Sequence, residues 1–289
     1  MKARHNGYGG ESYYGRPAIK PSPYGWKVAL YTFLGGLAGA AQVISTLGGK
    51  RSFAKPGRAI AAVNGALIGP ALLIMDLHTP QRWYNMLRIF RRTSPMSIGS
   101  YVLTAFGAFS LLSLLPKAGR AAQVPAALAG AGMASYTPAL LASTATPLWS
   151  AAPRALGAEF ATGAFASGAA ALMLCSSETS LEKIACVASA AYGASAFVAE
   201  RELERRRVDR PLKRGRSARM HKAGLGLAVA LPLACFALNA VAGRSRDRSM
   251  LGAAGILAGV FLSRWALFEA GNESARSAED YLRLRSGSD

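Results

Sequence analysis

Residues 76–101 read DLHTPQRWYNMLRIFRRTSPMSIGSY. The stretch opens at the end of one long apolar run and closes inside the next. Between them stand four arginines (Arg82, Arg88, Arg91, Arg92), three aromatics (Trp83, Tyr84, Phe90) and two prolines (Pro80, Pro95). A bare connector between membrane helices needs only a few Gly and Ser residues. This one carries enough apolar and aromatic surface to fold down as a short amphipathic helix on a bilayer, with its cations free to meet something outside.

The remainder of the chain supplies the bilayer. Its 289 residues are 51% hydrophobic and carry a formal charge of +19, with a mean hydropathy of +0.20. The charges are gathered into islands between eight apolar runs, at about 26–47, 58–77, 97–115, 121–144, 158–175, 181–199, 222–241 and 250–268. Each run is close to the ~20 residues a helix needs to cross a membrane. The period-two alternation of a barrel strand is absent, and helices are the other way to satisfy backbone groups in lipid. The expected fold is an all-α integral membrane protein of eight transmembrane helices. Its membrane domain spans 26–270 and carries an amphipathic loop (78–97) and a basic loop (200–222). A polar arm (1–25) precedes it and a polar tail (271–289) follows. The arm lacks the apolar core of a signal peptide and reads as an extended segment on the surface or on a partner. A basic protein raises nucleic acid as a partner, but these islands are short inter-helix loops, so no nucleic acid is expected.

Small residues recur along the runs, among them Gly35, Gly36 and Gly39 in the first and Gly252, Gly255 and Gly259 in the last. They let helix backbones approach closely, which is how bundles pack in lipid. Pro70, Pro138 and Pro232 interrupt three runs and are expected to kink them. An even helix count puts both termini on one side, which then holds 23 Lys and Arg against 10 on the other. That bias places the termini and the 76–101 stretch in the cytoplasm. The run 201–222 supplies much of the bias and reads as a topology signal and a binder of anionic headgroups.

Polar groups inside a membrane are costly and mark candidate sites. Here they are Tyr31, Gln42, Asn64, Asp76, Tyr136, Glu159, Asn239 and Arg264. By the helix directions Tyr31, Asp76, Tyr136 and Glu159 converge on the terminus-bearing side, beside a kinked helix. Arg264 reads as snorkelling or as paired with an acidic neighbour. The three histidines (His5, His78, His221) lie outside the middles of the runs, so no haem is expected. The three cysteines (Cys175, Cys186, Cys235) form no CxxC, so no iron–sulfur or zinc site is expected in this chain either. Phenol donors, a carboxylate and an apolar approach suit a quinone: its carbonyls take hydrogen bonds and its reduction consumes protons. With no redox centre of its own, the chain must receive electrons from a partner bound at the loop.

Three segments in order and spacing, GWKVALYTFLGGLAGA (25–40), the 76–101 stretch and SYTPALLASTATPLW (135–149), resemble the NrfD/PsrC family, the membrane subunits of polysulfide-reductase-like complexes. The middle motif is the most specific, family members reading close to DLGRPxRFYNMLRxxxPTSPMSxGS. Here His78 replaces the usual Gly, Gln81 stands where Glu or Ser is common, and Arg92 precedes the Thr-Ser-Pro. The resemblance runs from the YYGRP arm to the eighth helix. It implies a haem-free subunit that oxidises or reduces menaquinone or ubiquinone. It also implies a ferredoxin-like partner with four iron–sulfur clusters, usually joined to a molybdopterin catalytic subunit. By position, Tyr136 matches the family tyrosine that bonds a quinone carbonyl. Tyr31 occupies a first-helix position where some members place a quinone-bonding histidine, and Asp76 matches the acidic residue ending the second helix.

On this reading the chain is the quinone-interacting anchor of a multi-subunit respiratory oxidoreductase. The partner docks over Arg82, Trp83, Tyr84, Asn85, Arg88, Arg91 and Arg92, and protons move through Asp76 or Glu159. Two alternatives remain at the level of sequence: a secondary transporter, which should show repeat symmetry between its halves, and a purely structural anchor. No convincing match between the first four and last four runs is found.

Overall fold

The computed structural model describes residues 19, 22, 24–77 and 79–277, and its regular structure is helical throughout. The expected polar arm and most of the tail lie outside the described residues, as does His78. The long helices are α1 (Trp26–Gly48) and α2 (Ala54–Met75), then, after a single-turn α3 (Asn85–Arg88), α4 (Pro95–Leu112) and α5 (Gly119–Ala142). A short α6 (Pro147–Ala151) leads into α7 (Pro153–Cys175) and α8 (Thr179–Arg205). A one-turn α9 (Arg210–Lys213) leads into α10 (Arg216–Val241) and α11 (Arg246–Arg276).

Seven of these are long and apolar enough to cross a membrane by length and composition alone. The eighth span, α5, is built from Gly, Ala, Ser, Thr and two internal prolines, Pro125 and Pro138, which hold its hydropathy down. It nonetheless runs alongside its neighbours for most of their length. At one end the Thr46 hydroxyl meets the Gln123 carbonyl at 3.4 Å, and at the other Tyr136 lies against Gly99 at the start of α4. The helix between Gln123 and Tyr136 covers roughly 20 Å. Midway, Gly39 and Gly130 pack backbone to backbone: a Cβ on Gly39 would sit 2.3 Å from the Gly130 carbonyl oxygen. Only glycine permits that approach.

The α1 helix is the axis of the bundle, packed against α2 and α5 on one side and α7 and α11 on the other. The α8 helix packs on α7, and α10 on α11. The kinks expected at Pro70 and Pro232 take one form. Six residues before each proline a wide turn opens, Asn64–Ile68 in α2 and Gly226–Ala230 in α10. The Gly69 N–H reaches back five residues to Asn64 O, and the Leu231 N–H likewise to Gly226 O. Such a π turn absorbs the carbonyl that a proline ring would otherwise strike.

Two segments differ from their reading. In residues 200–222 the chain is mostly helix: α8 persists to Arg205 and α10 begins at Arg216. Pairs such as Arg201–Glu204 (3.2 Å) and Arg206–Glu202 (3.6 Å) support the helix after its apolar run has ended. His221 is thereby drawn into a span and buried. The 76–101 stretch, in contrast, forms no continuous amphipathic helix: before α4 begins at Pro95 it holds only a 3₁₀ turn (Pro80–Arg82) and the single turn α3.

Candidate functional site

Three of the four residues that the sequence places together meet at one end of the bundle. Tyr31, Asp76 and Tyr136 line a single cleft between α1, α2, α4 and α5, and its wall is completed by Leu72, Leu73, Leu140 and Met96. Tyr31 is buried and Tyr136 half-buried. Asp76 forms the C-cap of α2, where the carbonyl end of the helix dipole makes a carboxylate unfavourable. The Lys27 ammonium group donates to the Met75 carbonyl at 3.5 Å and so supplies a cation to that helix end.

The position of Tyr136 depends on Gly99. A Cβ there would lie 2.0 Å from the tyrosine Cζ and 2.2 Å from its hydroxyl, so the phenol rests directly on the α4 backbone. Pocket residues missing from the sequence reading are Tyr24, Lys27, Met96, Gly99 and Ser100. Gly99 and Ser100 stood inside the quoted motif, but a motif does not say which of its residues face inward. Burial, and then the charge of Asp76, raise the Tyr24 phenol above its ordinary value, so it stays a proton donor.

The arginine-rich stretch is pinned to α4 by that same motif. Ser94 caps the helix, its hydroxyl accepting from the Ser97 N–H at 3.3 Å. The Ser97 hydroxyl donates to Ile89 O and accepts from Arg91 N–H, at 3.2 and 3.1 Å. Tyr101 donates to Leu87 O at 2.8 Å and meets the edge of Phe90 at 5.0 Å between centroids. What remains outward is Arg82, Trp83, Tyr84, Asn85, Arg88, Arg91 and Arg92, all exposed. Beneath the stretch lies a second cavity of about 250 Å³, and Met96 and Ser100 line both it and the cleft.

Glu159 is not part of this cleft. It is buried on α7, across α1, within electrostatic reach of His221, Glu200 and Arg264. Arg264 neither snorkels nor forms an ion pair within 4 Å among the described residues. It is 3% exposed, and donates to Thr32 O on α1 and Phe160 O on α7, both at 2.7 Å. Its guanidinium also lies 4.7 Å from the centre of the Phe160 ring. Gly36 makes room for it: a Cβ there would stand 3.2 Å from the Arg264 Nη1. Tyr31 lines the cleft, while the backbone carbonyl of its neighbour Thr32 meets Arg264 on the α11 side of α1.

A family model described as polysulphide reductase, NrfD, matches residues 18–181. The match takes in the cleft, the arginine-rich stretch and Glu159, and ends in the first turn of α8. No curated protein matches the chain.

Proposed function

The chain belongs to the NrfD family of polysulphide reductase membrane subunits, and from that premise we propose that it is the quinone-interacting anchor of a multi-subunit oxidoreductase. The observation that carries the proposal is the cleft in which Tyr31, Asp76 and Tyr136 share an apolar wall. Two phenol donors beside leucines and a methionine fit a two-carbonyl ring that arrives from lipid. The cleft is narrow, about 30 Å³, so a ring enters only when flexible side chains such as Met96 swing aside. Menaquinone or ubiquinone would supply the two-electron chemistry when bound.

The chain's own residues then have distinct tasks. Tyr136 donates a hydrogen bond to one carbonyl and fixes the ring's position. Tyr31 and Tyr24, both protonated, supply further donors. Asp76, half-exposed at the helix end, passes protons between water and the cleft. The exposed cations and aromatics from Arg82 to Arg92 face outward a short way from Met96. They suit the docking of an iron–sulfur subunit with four clusters, itself joined to a molybdopterin subunit. The Lys and Arg distribution supports a cytoplasmic position for this face in the prokaryotic inner membrane.

Quinone-coupled turnover of the intact complex tests the reading. Tyr136→Phe removes one hydroxyl and keeps the ring, and turnover should fall at least roughly tenfold, the loss of about 1.4 kcal/mol of binding or barrier. Unchanged turnover would remove Tyr136 from the site.

A further inference from the structure

Across α1 from the cleft lies a row of ionisable groups; one of them, Glu159, is expected from the sequence to share the quinone's proton traffic, but it stands outside the cleft. It begins at the surface. Glu200, on α8, lines a cavity of about 250 Å³ together with Arg201, Lys213 and Lys222. Its carboxylate stands 3.2 Å from His221 Nε2, and the histidine is 1% exposed. The other imidazole nitrogen, Nδ1, is 2.9 Å from the Ser263 hydroxyl on α11. Beyond it are Glu159, 2% exposed, and Arg264, whose charges act on one another. Ser263 adjoins Arg264 on α11, and Arg264 donates to the carbonyl of Phe160, the residue next to Glu159, so the histidine and the carboxylate flank one short segment of α11. Two polar atoms at the inner end have no hydrogen-bond partner among the described residues: Glu159 Oε1 and the Tyr192 hydroxyl.

The row does not look like a static ion pair. A carboxylate held only for stability would be expected to satisfy both oxygens, because a buried unpartnered one is costly. Here the buried Arg264 spends its donors on backbone carbonyls instead. The carboxylate is left with a free oxygen, a phenol, an imidazole and a half-exposed second carboxylate leading to water. Among the described residues, the charged or titratable groups that act on it are Tyr192 and Glu200 from α8, His221 from α10 and Arg264 from α11. From α1, the Thr32 carbonyl only holds Arg264 in place.

We propose that Glu159 is a reversible proton-binding site, loaded from the surface cavity at Lys213 and Lys222 through Glu200 and His221, and separate from the quinone cleft. A proton from water is taken by the Glu200 carboxylate and passed to His221 Nε2. The imidazole gives up its Nδ1 proton on the Ser263 side, that proton ends on the Glu159 carboxylate, and the neutral imidazole returns to its Nδ1–H tautomer before the next transfer. One aqueous proton is consumed and no electron moves. The Arg264 charge stays fixed and stabilises the carboxylate after release.

The test uses the full chain, purified without quinone in lipid nanodiscs, so its outcome is independent of the quinone reading. Infrared difference spectra with pH should show a protonated-carboxyl band that titrates. The band should vanish in Glu159→Gln and persist, shifted, in Glu159→Asp. On transfer to D₂O, the band's exchange should slow on the order of a hundredfold in Glu200→Gln and in His221→Gln, the low end for a positioned proton-transfer group. Thermal melting of each variant checks that the bundle is intact. If no titrating band is lost with Glu159, the group does not bind a proton and the proposal is overturned. If the band is lost but exchanges at the parental rate in both relay variants, the assigned route is overturned.

Discussion

The two sides of α1 solve opposite problems with one helix. On the α2/α4/α5 side the polar groups are mostly neutral phenols, and the wall is leucine and methionine. On the α7/α8/α10/α11 side the polar groups are ionisable and sealed: Glu159, His221 and Arg264 are each nearly fully buried. Neutral donors tolerate a narrow cleft near lipid because they carry no charge to solvate, whereas charges in that position would be far more costly. Sealing them behind α1, with a guanidinium gripping the carbonyls of two helices, confines that cost to one place. The contrast shows how Tyr31 and Thr32, neighbours in sequence, serve two chemically different compartments.

Substitution can break this contrast most severely at Arg264. Arg264→Leu removes two charge-assisted hydrogen bonds by which α11 grips α1 and α7, and takes the nearby positive charge away from the Glu159 side of the bundle. Unfolding of the purified chain should be easier by about 3 kcal/mol or more. Replacing Glu159 by Leu as well should return part of the loss. A single variant as stable as the parent would mean that the sealed side is not held by charge.

On the open side, Gly99→Val drives a side chain into the Tyr136 ring. Overpacking of this kind costs about 1–3 kcal/mol, less than the loss at Arg264. Quinone-coupled turnover should nevertheless fall more than it does for Tyr136→Phe, because the ring itself is displaced from the cleft. Turnover at the parental level would separate the position of Tyr136 from function.

The smallest effect lies at the far end, where the two sides are tied by their loops. Glu178 accepts from the Ser52 hydroxyl at 2.6 Å and from its N–H at 2.9 Å, and Arg51 stands 3.7 Å away. The Ser52 hydroxyl bond, foremost among these contacts, holds the Glu178 carboxyl below its ordinary value of 4.5. A depressed carboxyl contributes stability above its unfolded pKa and loses it as pH falls through the folded one. Melting temperature should therefore decline slightly as pH drops below about 4.5, and Ser52→Ala should flatten that decline. A slope unchanged by Ser52→Ala would rule out this tether.

Much of the fold was legible because lipid imposes a length: apolar runs near twenty residues can only be spans. Even α5, the least apolar, was counted among the eight runs. The ends of helices were less legible. At residues 200–222 the apolar run stops while hydrogen bonding and Arg–Glu pairing carry the helix onward, so His221 was placed in a loop and its burial went unseen. Within the cleft, Tyr31, Asp76 and Tyr136 were named from helix direction and family likeness, whereas Gly99 and Tyr24 were not. Glu159 was grouped with the three tyrosine-side residues because depth in the membrane follows from position along a helix. Which way it faces does not.

What the sequence by itself determined is therefore the number of spans, their order, and the depth at which each polar residue sits. Those follow from hydropathy and from a fixed rise per residue. Only the tertiary structure decided the rotation of each helix about its axis. These helices are apolar nearly all round, so no hydrophobic stripe records their phase. Contacts such as Gly39 on Gly130 and Arg264 on Thr32 O set it instead, and with it the division of the polar residues between an aromatic cleft and a buried ionic row.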